Sequence, residues 1–462
     1  MTMQQKTDWN GKLVVILGGA RQGQAAARWF ARHGAVVIVN DRRTAAEMIA
    51  AKSAIADTSA SWVLGSHPTS ILDSADYLCI SGGIPLDNPL VVAANLRGIP
   101  LTNDTQVFME LSPCRTIGIT GSAGKTTTTT LVGQMAKNAF GDKVHVGGNI
   151  GDPLLNHLDE MGADNLAVLE ISSFQLEQMT ISPNVAAILN ITPNHLDRHG
   201  NMEAYTAAKR RILEFQHGDD LAVLNRDQAG SWDLRKDVRG RLVSFGLGTF
   251  KGSQDGTFLA DGILHLHQRG VDIPLLQRDA LQLRGEHNVM NVLAAFAIGH
   301  AAGLPLDAML SAAEEFRGAP HRLEFIREWN GAQWYDDSIA TAPERTMADI
   351  HSFTEPIVLL LGGRDKDLPW ENLANLVRQR VEHVVLFGEA AGKIAAALEQ
   401  AKGPLPLTME RCEDLKEAVE AAARVATPGS VVLLSPGGTS FDQFSDFEER
   451  GKAFEKWVSE LS

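Results

Sequence analysis

The sequence has few cysteines, and they follow no ligand pattern. Cys79, Cys114 and Cys412 lie far apart and form no CxxC pair. This spacing argues against both a disulfide framework and a zinc site, and it is typical of proteins from a reducing compartment.

Long hydrophobic runs and an excess of positive charge are also missing. No apolar run approaches the roughly 20 residues of a membrane span, and the polar start, residues 1–10, lacks the apolar region of a signal peptide. The 42 Lys and Arg against 56 Asp and Glu give a net charge of -14, which argues against a nucleic-acid backbone as the main partner. We expect a soluble, cytoplasmic protein with neither a membrane nor a nucleic acid as partner.

Apolar, β-branched runs followed by glycine and then by a helical pattern recur along the chain. This succession predicts an α/β fold with mainly parallel sheets and crossover helices. The 462 residues suffice for more than one core, and three blocks can be separated without a tandem repeat or a long linker. The predicted domains are residues 1–112, 113–318 and 319–462.

A phosphate loop is predicted at the start of the second block. Residues 116–120 have the composition of a strand, and a glycine-rich loop follows it before an amphipathic helix. Glycines let backbone N–H groups turn toward phosphate oxygens, Lys125 would reach the terminal phosphates, and Thr126 offers a Mg²⁺ ligand. Ile119 stands where the pattern GxxxxGK(S/T) has its first glycine, so the prediction depends on the strand–loop–helix order. The loop residues are Gly121, Ser122, Ala123, Gly124, Lys125, Thr126 and Thr127.

Two further features have a chemical and an ordinary interpretation. Glu170 ends an apolar strand and would present an acid to Mg²⁺ beside the phosphate loop, although such a residue is often only part of a sheet edge. In the first block, Gly18 to Gly23 with Asp41 about twenty residues later is similar to a dinucleotide fingerprint. Ala20 replaces its second glycine, which weakens a nicotinamide role.

The motifs that follow resemble those of the Mur ligases. The two most specific are SSFQLE at residues 172–177 and NITPNHLDR at residues 190–198, and the first is similar to the family members that add glutamate. The likeness continues in the family's order through GGNIG at 147–151, AAK at 207–209, GEHNVMN at 285–291, PHR at 320–322 and LSP at 434–436.

The resemblance implies a three-domain ligase of peptidoglycan precursor synthesis. A Rossmann-like N-terminal domain would hold a uridine nucleotide, a central domain would bind ATP and Mg²⁺, and a Rossmann-like C-terminal domain would close to deliver the amino acid. The implied substrates are UDP-N-acetylmuramoyl-L-alanine, D-glutamate and ATP, joined through an acyl phosphate. A monomer is expected.

The resemblance also implies roles for individual residues. Lys125, His195 and Lys209 would be catalytic, with Lys209 carrying a carbamate formed from CO₂, because a neutral amine is no hard anionic ligand whereas an N-carboxylated lysine is. The implied Mg²⁺ positions are Thr126, Glu170, His195 and Lys209. The matched nucleotide positions, besides the loop, are Asn288, Asn291, Arg322 and Asp337. The matched substrate positions are Asp41, Arg42, Ser81, Gly83, Asn149, Thr341, Lys366, Ser440 and Phe447.

From the residues alone, a core histidine and a solvated helix lysine are the ordinary alternatives for His195 and Lys209. The chain also departs from the family in its third block, where NDSKATN is replaced by DDSIATA at residues 336–342. A cation is thereby lost at Ile339, while Lys366 is kept and Arg364 stands near it as a possible substitute. The identity of the amino acid is thus less certain than the reaction type.

Several functions stay open at this point. An L-glutamate-adding relative, or another amide ligase of the same fold such as a folate polyglutamylating enzyme, would share most of the motifs. A nucleotide-switch protein would use the phosphate loop to control a partner, and a dehydrogenase would use the first glycine motif. Substrate-dependent ATP turnover separates a ligase from the last two.

Overall fold

The computed structural model describes residues 8–248, 254–404 and 407–462, and it has an α/β fold with three β-sheets. It divides into two compact units. One covers Met1–Leu281 and Glu286–Glu315, and the other covers Gln282–Gly285 and Phe316–Ser462. The predicted fold class is confirmed.

The first sheet is entirely parallel and has the order β3-β2-β1-β4-β5. Strands such as β1 are apolar because both faces of a parallel sheet are covered by helices. Successive strands are added on one side of β1 up to β3 and on its other side from β4 onward, and this switch point creates a crevice at the carboxyl ends of β1 and β4. The strands are β1 Leu13–Leu17, β2 Val36–Asp41, β3 Ser61–Leu64, β4 Tyr77–Ile80 and β5 Leu101–Thr102. The helices are α1 Arg21–Arg32, α2 Ile49–Ala54, α3 Pro89–Leu96 and α4 Asp104–Leu111.

The second sheet has the order β14-β13-β12-β11-β10-β9-β6-β8-β7. It is parallel from β7 to β12, and an antiparallel extension of β13 and β14, which the sequence did not predict, completes it. Its strands are β6 Arg115–Thr120, β7 Val144–Gly148, β8 Leu166–Glu170, β9 Val185–Ile188, β10 Leu221–Asn225, β11 Arg241–Phe245, β12 Gly256–Ala260, β13 Ile263–Gln268 and β14 Val271–Gln277. The helices are α5 Lys125–Phe140, α6 Ser173–Leu176, α7 Leu196–His199, α8 Met202–Glu214, α9 Ala229–Trp232, α10 Glu286–Ala302 and α11 Leu306–Glu315.

The third sheet has the order β15-β16-β20-β17-β18-β19, with only β15 antiparallel. Its strands are β15 Glu324–Trp329, β16 Ala332–Asp336, β17 Ile357–Gly362, β18 His383–Phe387, β19 Thr408–Arg411 and β20 Val431–Gly437. The helices are α12 Pro343–Ile350, α13 Glu371–Arg380, α14 Ala391–Gln400, α15 Leu415–Val425 and α16 Phe447–Glu460.

The predicted boundaries at 112/113 and 318/319 fall between consecutive sheets and stay predictions at the level of single residues. Among the described residues, none of the helices combines the length and apolar character that crossing a bilayer requires.

A polar joint connects the first and second sheets within one compact unit. Ser172 caps α6, because its Oγ accepts from Gln175 N at 3.2 Å, and its amide and hydroxyl donate to Gln175 Oε1 at 2.9 and 2.8 Å. The same glutamine donates from Nε2 to Thr105 Oγ1 at 2.7 Å, and its carbonyl accepts from Asn103 Nδ2 at 3.1 Å. Gln175 is fully buried. The SSFQLE run therefore holds the start of α4 against the second sheet.

Candidate active site

The phosphate loop leaves the carboxyl end of β6 and enters α5 at Lys125. Gly124 has φ 81°, and a Cβ atom there would lie 2.3 Å from Asn291 Oδ1. Only glycine meets both demands, because it tolerates a left-handed φ and leaves room for the approaching amide. Asn291 Nδ2 also donates to Asn288 Oδ1 at 3.0 Å. The structure thus brings the two predicted asparagines of α10 to the loop.

Asn190 fixes the shape of the loop, a role that the sequence did not predict. Ala123 N donates to Asn190 Oδ1 at 2.8 Å, and Asn190 Nδ2 donates back to Ala123 O at 3.0 Å. Ser122 N donates to the carbonyl of Asn190 at 3.0 Å. The signal available in the sequence was the position of Asn190 at the start of the second family motif.

Two lysines share one carbonyl at the base of the loop. Lys125 Nζ donates to Gly121 O at 3.0 Å, and Lys209 Nζ donates to the same oxygen at 2.9 Å. Lys209 is 1% exposed, so it is no solvated helix lysine. Burial lowers the pKa of Lys209 well below its ordinary value, and the charge of Lys125 lowers it further against the opposing effect of Glu170. This environment favours the neutral, nucleophilic amine.

Glu170 lies at the end of β8, next to β6, and accepts hydrogen bonds from two other predicted site residues. Thr126 Oγ1 donates to Glu170 Oε2 at 2.8 Å, and Asn149 Nδ2 donates to Oε1 at 2.8 Å. A Cβ atom on Gly148 would lie 2.4 Å from the carbonyl of Glu170, so glycine permits this close approach. A hydroxyl and an amide nitrogen thereby donate to a carboxylate whose residue is 2% exposed.

His195 and Thr127 occupy contrasting environments. His195 precedes α7 with φ 53°, is exposed, and packs its ring edge-on against Phe174 at 5.2 Å between centroids. The exposed ring excludes the alternative of a core histidine. Thr127 is buried in the first turn of α5. The metal role of His195 stays a prediction.

The predicted uridine-nucleotide positions gather at the crevice of the first sheet. Ser81 Oγ donates to Gly18 O at 2.9 Å, and Gly19 N donates to Asp41 Oδ2 at 2.9 Å. Arg42 is exposed, whereas Arg43, which the sequence did not single out, forms a salt bridge with Asp41 at 2.7 Å. The carbonyl of Gly83 accepts from Arg198 Nη1 of the second sheet's α7 at 3.2 Å.

Asp41 couples the folding of this crevice to pH. Burial by itself would raise the pKa of Asp41, but hydrogen bonds from Arg43 and the Gly19 amide outweigh it and lower the pKa from 3.8 to about 2. Because the pKa of Asp41 is lower in the folded state, the carboxylate stabilises the fold fully at pH values above its pKa in the unfolded chain. This stabilisation is lost as the pH falls through the pKa of the folded state.

We expect Asp41→Asn to destabilise the ligand-free chain by on the order of 2 kcal/mol near pH 6. The difference from the wild type should shrink as pH falls from about 4 to about 2. Denaturant unfolding across this range measures it, with the exposed Asp57 replaced by Asn as control. A difference that stays constant with pH would contradict the role of the Asp41 charge.

The amino-acid positions of the third sheet share one edge. Thr341, Lys366 and Ser440 follow β16, β17 and β20, which are adjacent parallel strands. Gly437 N donates to Ala340 O at 2.8 Å, which ties the first of these loops to β20. Phe447 opens α16 with its ring edge-on to His321 at 6.5 Å.

The two nucleotide positions of the third block lie in a buried charged cluster. Asp337 Oδ1 accepts from Leu323 N at 2.8 Å, and Asp349 Oδ2 accepts from Ser435 Oγ at 2.6 Å. Burial and the neighbouring Asp349 raise the pKa of Asp337 well above its ordinary value despite the nearby Arg322. Among the described residues, Arg322 Nε is buried without a hydrogen-bond partner. Asp349 was not predicted from the sequence.

Arg364, the possible substitute for the cation missing at Ile339, is paired with Glu389. Its Nε and Nη2 donate to the two carboxylate oxygens of Glu389, both at 2.9 Å. A guanidinium held in this forked pair is already neutralised. The expectation that Arg364 substitutes for the lost lysine is therefore not supported.

A phosphate loop beside a buried carboxylate at the end of a strand, in an α/β chain with three β-sheets, is typical of nucleotide-binding enzymes. Comparison with known protein families shows which family this is. Three family models match: the MurD-like N-terminal domain at residues 12–103, the Mur ligase middle domain at 119–299 and the glutamate ligase domain of Mur ligases at 321–438. The chain belongs to the Mur ligase family.

Curated relatives extend this similarity over nearly the whole chain. A UDP-N-acetylmuramoylalanine–D-glutamate ligase of Symbiobacterium thermophilum is 36% identical, covering 97% of this chain and 98% of that protein. A protein of the same name from Acidobacterium capsulatum is 38% identical, covering 97% and 96%.

Solved structures support the fold. UDP-N-acetylmuramate-alanine ligase MurC from Thermotoga maritima has a TM-score of 0.57 at 20% identity, covering 97% of this chain and 100% of that one. MurF from Acinetobacter baumannii has a TM-score of 0.58 at 18% identity, covering 96% and 93%.

Proposed function

We propose that this ligase joins D-glutamate to UDP-N-acetylmuramoyl-L-alanine with the hydrolysis of ATP. The near full-length similarity to relatives named UDP-N-acetylmuramoylalanine–D-glutamate ligase carries the proposal. The reaction would belong to peptidoglycan precursor synthesis in the cytoplasm, and hence to cell wall biogenesis, cell shape and cell division. We further propose that the chain acts as a monomer.

The chemistry proceeds in two steps. The terminal carboxylate of the muramoyl-alanine attacks the γ-phosphorus of ATP, ADP leaves, and an acyl phosphate forms. The uncharged amine of glutamate then attacks the acyl carbon, loses a proton, and expels inorganic phosphate from a tetrahedral intermediate. ATP is needed because the leaving group of a free carboxylate would be oxide.

The phosphate loop is suited to the first step. Its amides and Lys125 would stabilise charge on the transferring phosphoryl group. Asn288 and Asn291 lie next to the loop, which supports their assignment to the nucleotide. The acyl phosphate must be shielded from water, so we propose that the C-terminal domain closes during turnover.

The residues around Glu170 fit Mg²⁺, a metal typical of this family. Thr126 and Glu170 supply hard oxygen donors within 2.8 Å of each other, and Asn149 adds an amide. The ion, when bound, would polarise the phosphoryl oxygens. A neutral Lys209 amine is no hard anionic oxygen ligand for Mg²⁺, so the side chain fits the group as a carbamate.

We propose that Lys209 reacts with CO₂ to form this carbamate. Only a neutral amine attacks CO₂, and the buried position beside Lys125 lowers the pKa of Lys209. His195, exposed beside Phe174, would complete the site. In the N-terminal domain, the crevice formed by Gly18, Ser81 and Asp41 would hold the uridine nucleotide.

An L-glutamate-adding enzyme is the second candidate, and Ile339 is the observation that favours it. L-glutamate and D-glutamate differ in where one carboxylate lies relative to the amine. The replacement of a family lysine by Ile339 is a change that can accompany a different carboxylate position. Thr341, Lys366, Ser440 and Phe447 would line the amino-acid site in either case.

Assays on both glutamate enantiomers decide between them. With UDP-N-acetylmuramoyl-L-alanine and ATP, we expect phosphate release with a higher kcat/KM for D-glutamate. Folates and longer muramoyl peptides serve as control acceptors and should not support turnover. A higher kcat/KM for L-glutamate would overturn the enantiomer while leaving the ligase mechanism in place.

A further inference from the structure

Two cations beyond the parallel strands of the third sheet form no close ion pair among the described residues. Arg345 lies in the first turn of α12, and Lys366 follows β17; both side chains are exposed. Within the described residues, neither makes a side-chain hydrogen bond or has a carboxylate oxygen within 4 Å. Arg364, a third cation in this region, differs from them because it is paired with Glu389.

Packing brings the two cations to the same place. Arg345 is followed by Thr346, whose hydroxyl donates to the carbonyl of Ser435 on β20 at 3.1 Å. A Cβ atom on Gly437 would lie 3.3 Å from Thr346 Oγ1 and 2.9 Å from the Trp370 ring. Trp370 Nε1 in turn donates at 3.1 Å to Asp365, the neighbour of Lys366. The strands β16, β20 and β17 therefore place the loops of both cations side by side.

The cluster carries an excess of positive charge. Partial desolvation lowers the pKa of Lys366, and the positive charge of Arg345 lowers it further. Partial burial lowers the pKa of Arg345, and the charge of Arg322 lowers it further, while Asp337 and Asp349 act in the opposite direction. Burial raises the pKa of both Asp337 and Asp349, which reduces the negative charge that they offer to the three cations.

The position of Arg345 is unfavourable for the helix itself. The N-terminal end of a helix carries partial positive charge, which favours acidic side chains in the first turn and disfavours arginine by a few tenths of a kcal/mol. A residue that breaks a local rule without a structural compensation is often explained by a ligand.

We propose that Arg345 binds a carboxylate of the incoming glutamate, with Lys366 binding the other. This rests on the proposed function, because it assigns a specificity-determining residue to the same reaction. Arg345 then takes the place of the cation lost at Ile339. Its planar fork matches a carboxylate with two parallel hydrogen bonds, and the four-residue spacing from Thr341 puts it beside a matched amino-acid position.

The test compares R345Q with the wild type in the phosphate-release assay. We expect the KM for the preferred glutamate enantiomer to rise roughly 10- to 100-fold, as for the loss of a hydrogen bond to a charged group. R345K should be intermediate because it keeps the charge but not the fork. The KM values for ATP and the sugar nucleotide should not change, and thermal stability should be kept or slightly raised because the unfavourable helix charge is removed.

Control variants distinguish a specific role of Arg345 from a general effect of removing an arginine. R411Q removes an exposed arginine from β19 and should leave KM for glutamate unchanged. An unchanged KM in R345Q, or a rise in the KM for ATP alone, would overturn the proposal. A rise in R364Q without one in R345Q would also overturn it, in favour of Arg364. If the wild type itself releases no phosphate with either glutamate, the proposed function fails instead.

Discussion

Lys125→Ala is expected to lower kcat/KM for ligation by roughly 10²-fold or more. Lys125 lies at the start of α5 with its ammonium on the carbonyl of Gly121, where it can follow the phosphates of ATP. Lys125 is the one basic side chain of the loop, residues 121–127. Without it, the negative charge on the transferring phosphoryl group is less well stabilised. Acyl-phosphate formation should be the step that fails.

The sugar-nucleotide crevice lies on a different sheet and should be unaffected. Calorimetric titration of UDP-N-acetylmuramoyl-L-alanine into the variant is therefore expected to give a Kd close to that of the wild type. Lys137→Ala, an exposed lysine in the last turn of the same helix, is the matched control and should turn over normally. Near-wild-type turnover in Lys125→Ala would remove the phosphate-loop assignment.

Lys209→Ala should be impaired to a similar extent and partly rescued by acetate. Lys209 is buried, so alanine leaves a cavity that a small carboxylate can enter. Acetate would then provide the oxygen ligands that the proposed carbamate would supply, which an amine such as methylamine in the same cavity cannot do. Steady-state phosphate release with increasing acetate measures the rescue.

Removing CO₂ from the buffer is an independent test of the proposed carbamate on Lys209. Wild-type activity should fall, whereas acetate-rescued Lys209→Ala should be insensitive because it no longer needs CO₂. Arg210→Ala, an exposed neighbour on α8, controls for disturbance of the helix. Normal activity in unrescued Lys209→Ala, or an unmodified lysine in a high-resolution map of the active enzyme, would rule the carbamate out.

Much of the fold follows from local sequence. Apolar, β-branched strands such as β1 and β8 with glycine at their ends predict parallel sheets, because strands buried on both faces need apolar residues throughout. The antiparallel pair β13 and β14 was missed: leucine alternates with histidine in β13, but Pro274 and the two leucines after it interrupt the alternation in β14. The phosphate loop was predictable since strand, glycines and helix are contiguous.

The parts of the site that depend on long-range packing were not predictable. That Lys209 reaches the same carbonyl as Lys125 depends on how α8 packs against β6, nearly ninety residues away along the chain. The pairing of Arg364 with Glu389 and the exposure of Arg345 are likewise decided by which loops meet at one sheet edge. The sequence singled out Arg364 because it stands near Lys366, and it gave no reason to consider Arg345.

The polar joint at Gln175 bears on how the chain folds. Its buried amide satisfies Ser172 on one side and Thr105 on the other, so separating the first two sheets would leave several buried polar groups without partners. Each such group costs about 1–3 kcal/mol, and the cost falls on both sheets at once. We therefore expect the residues of the SSFQLE run to couple the unfolding of the first two sheets, so that neither opens readily without the other.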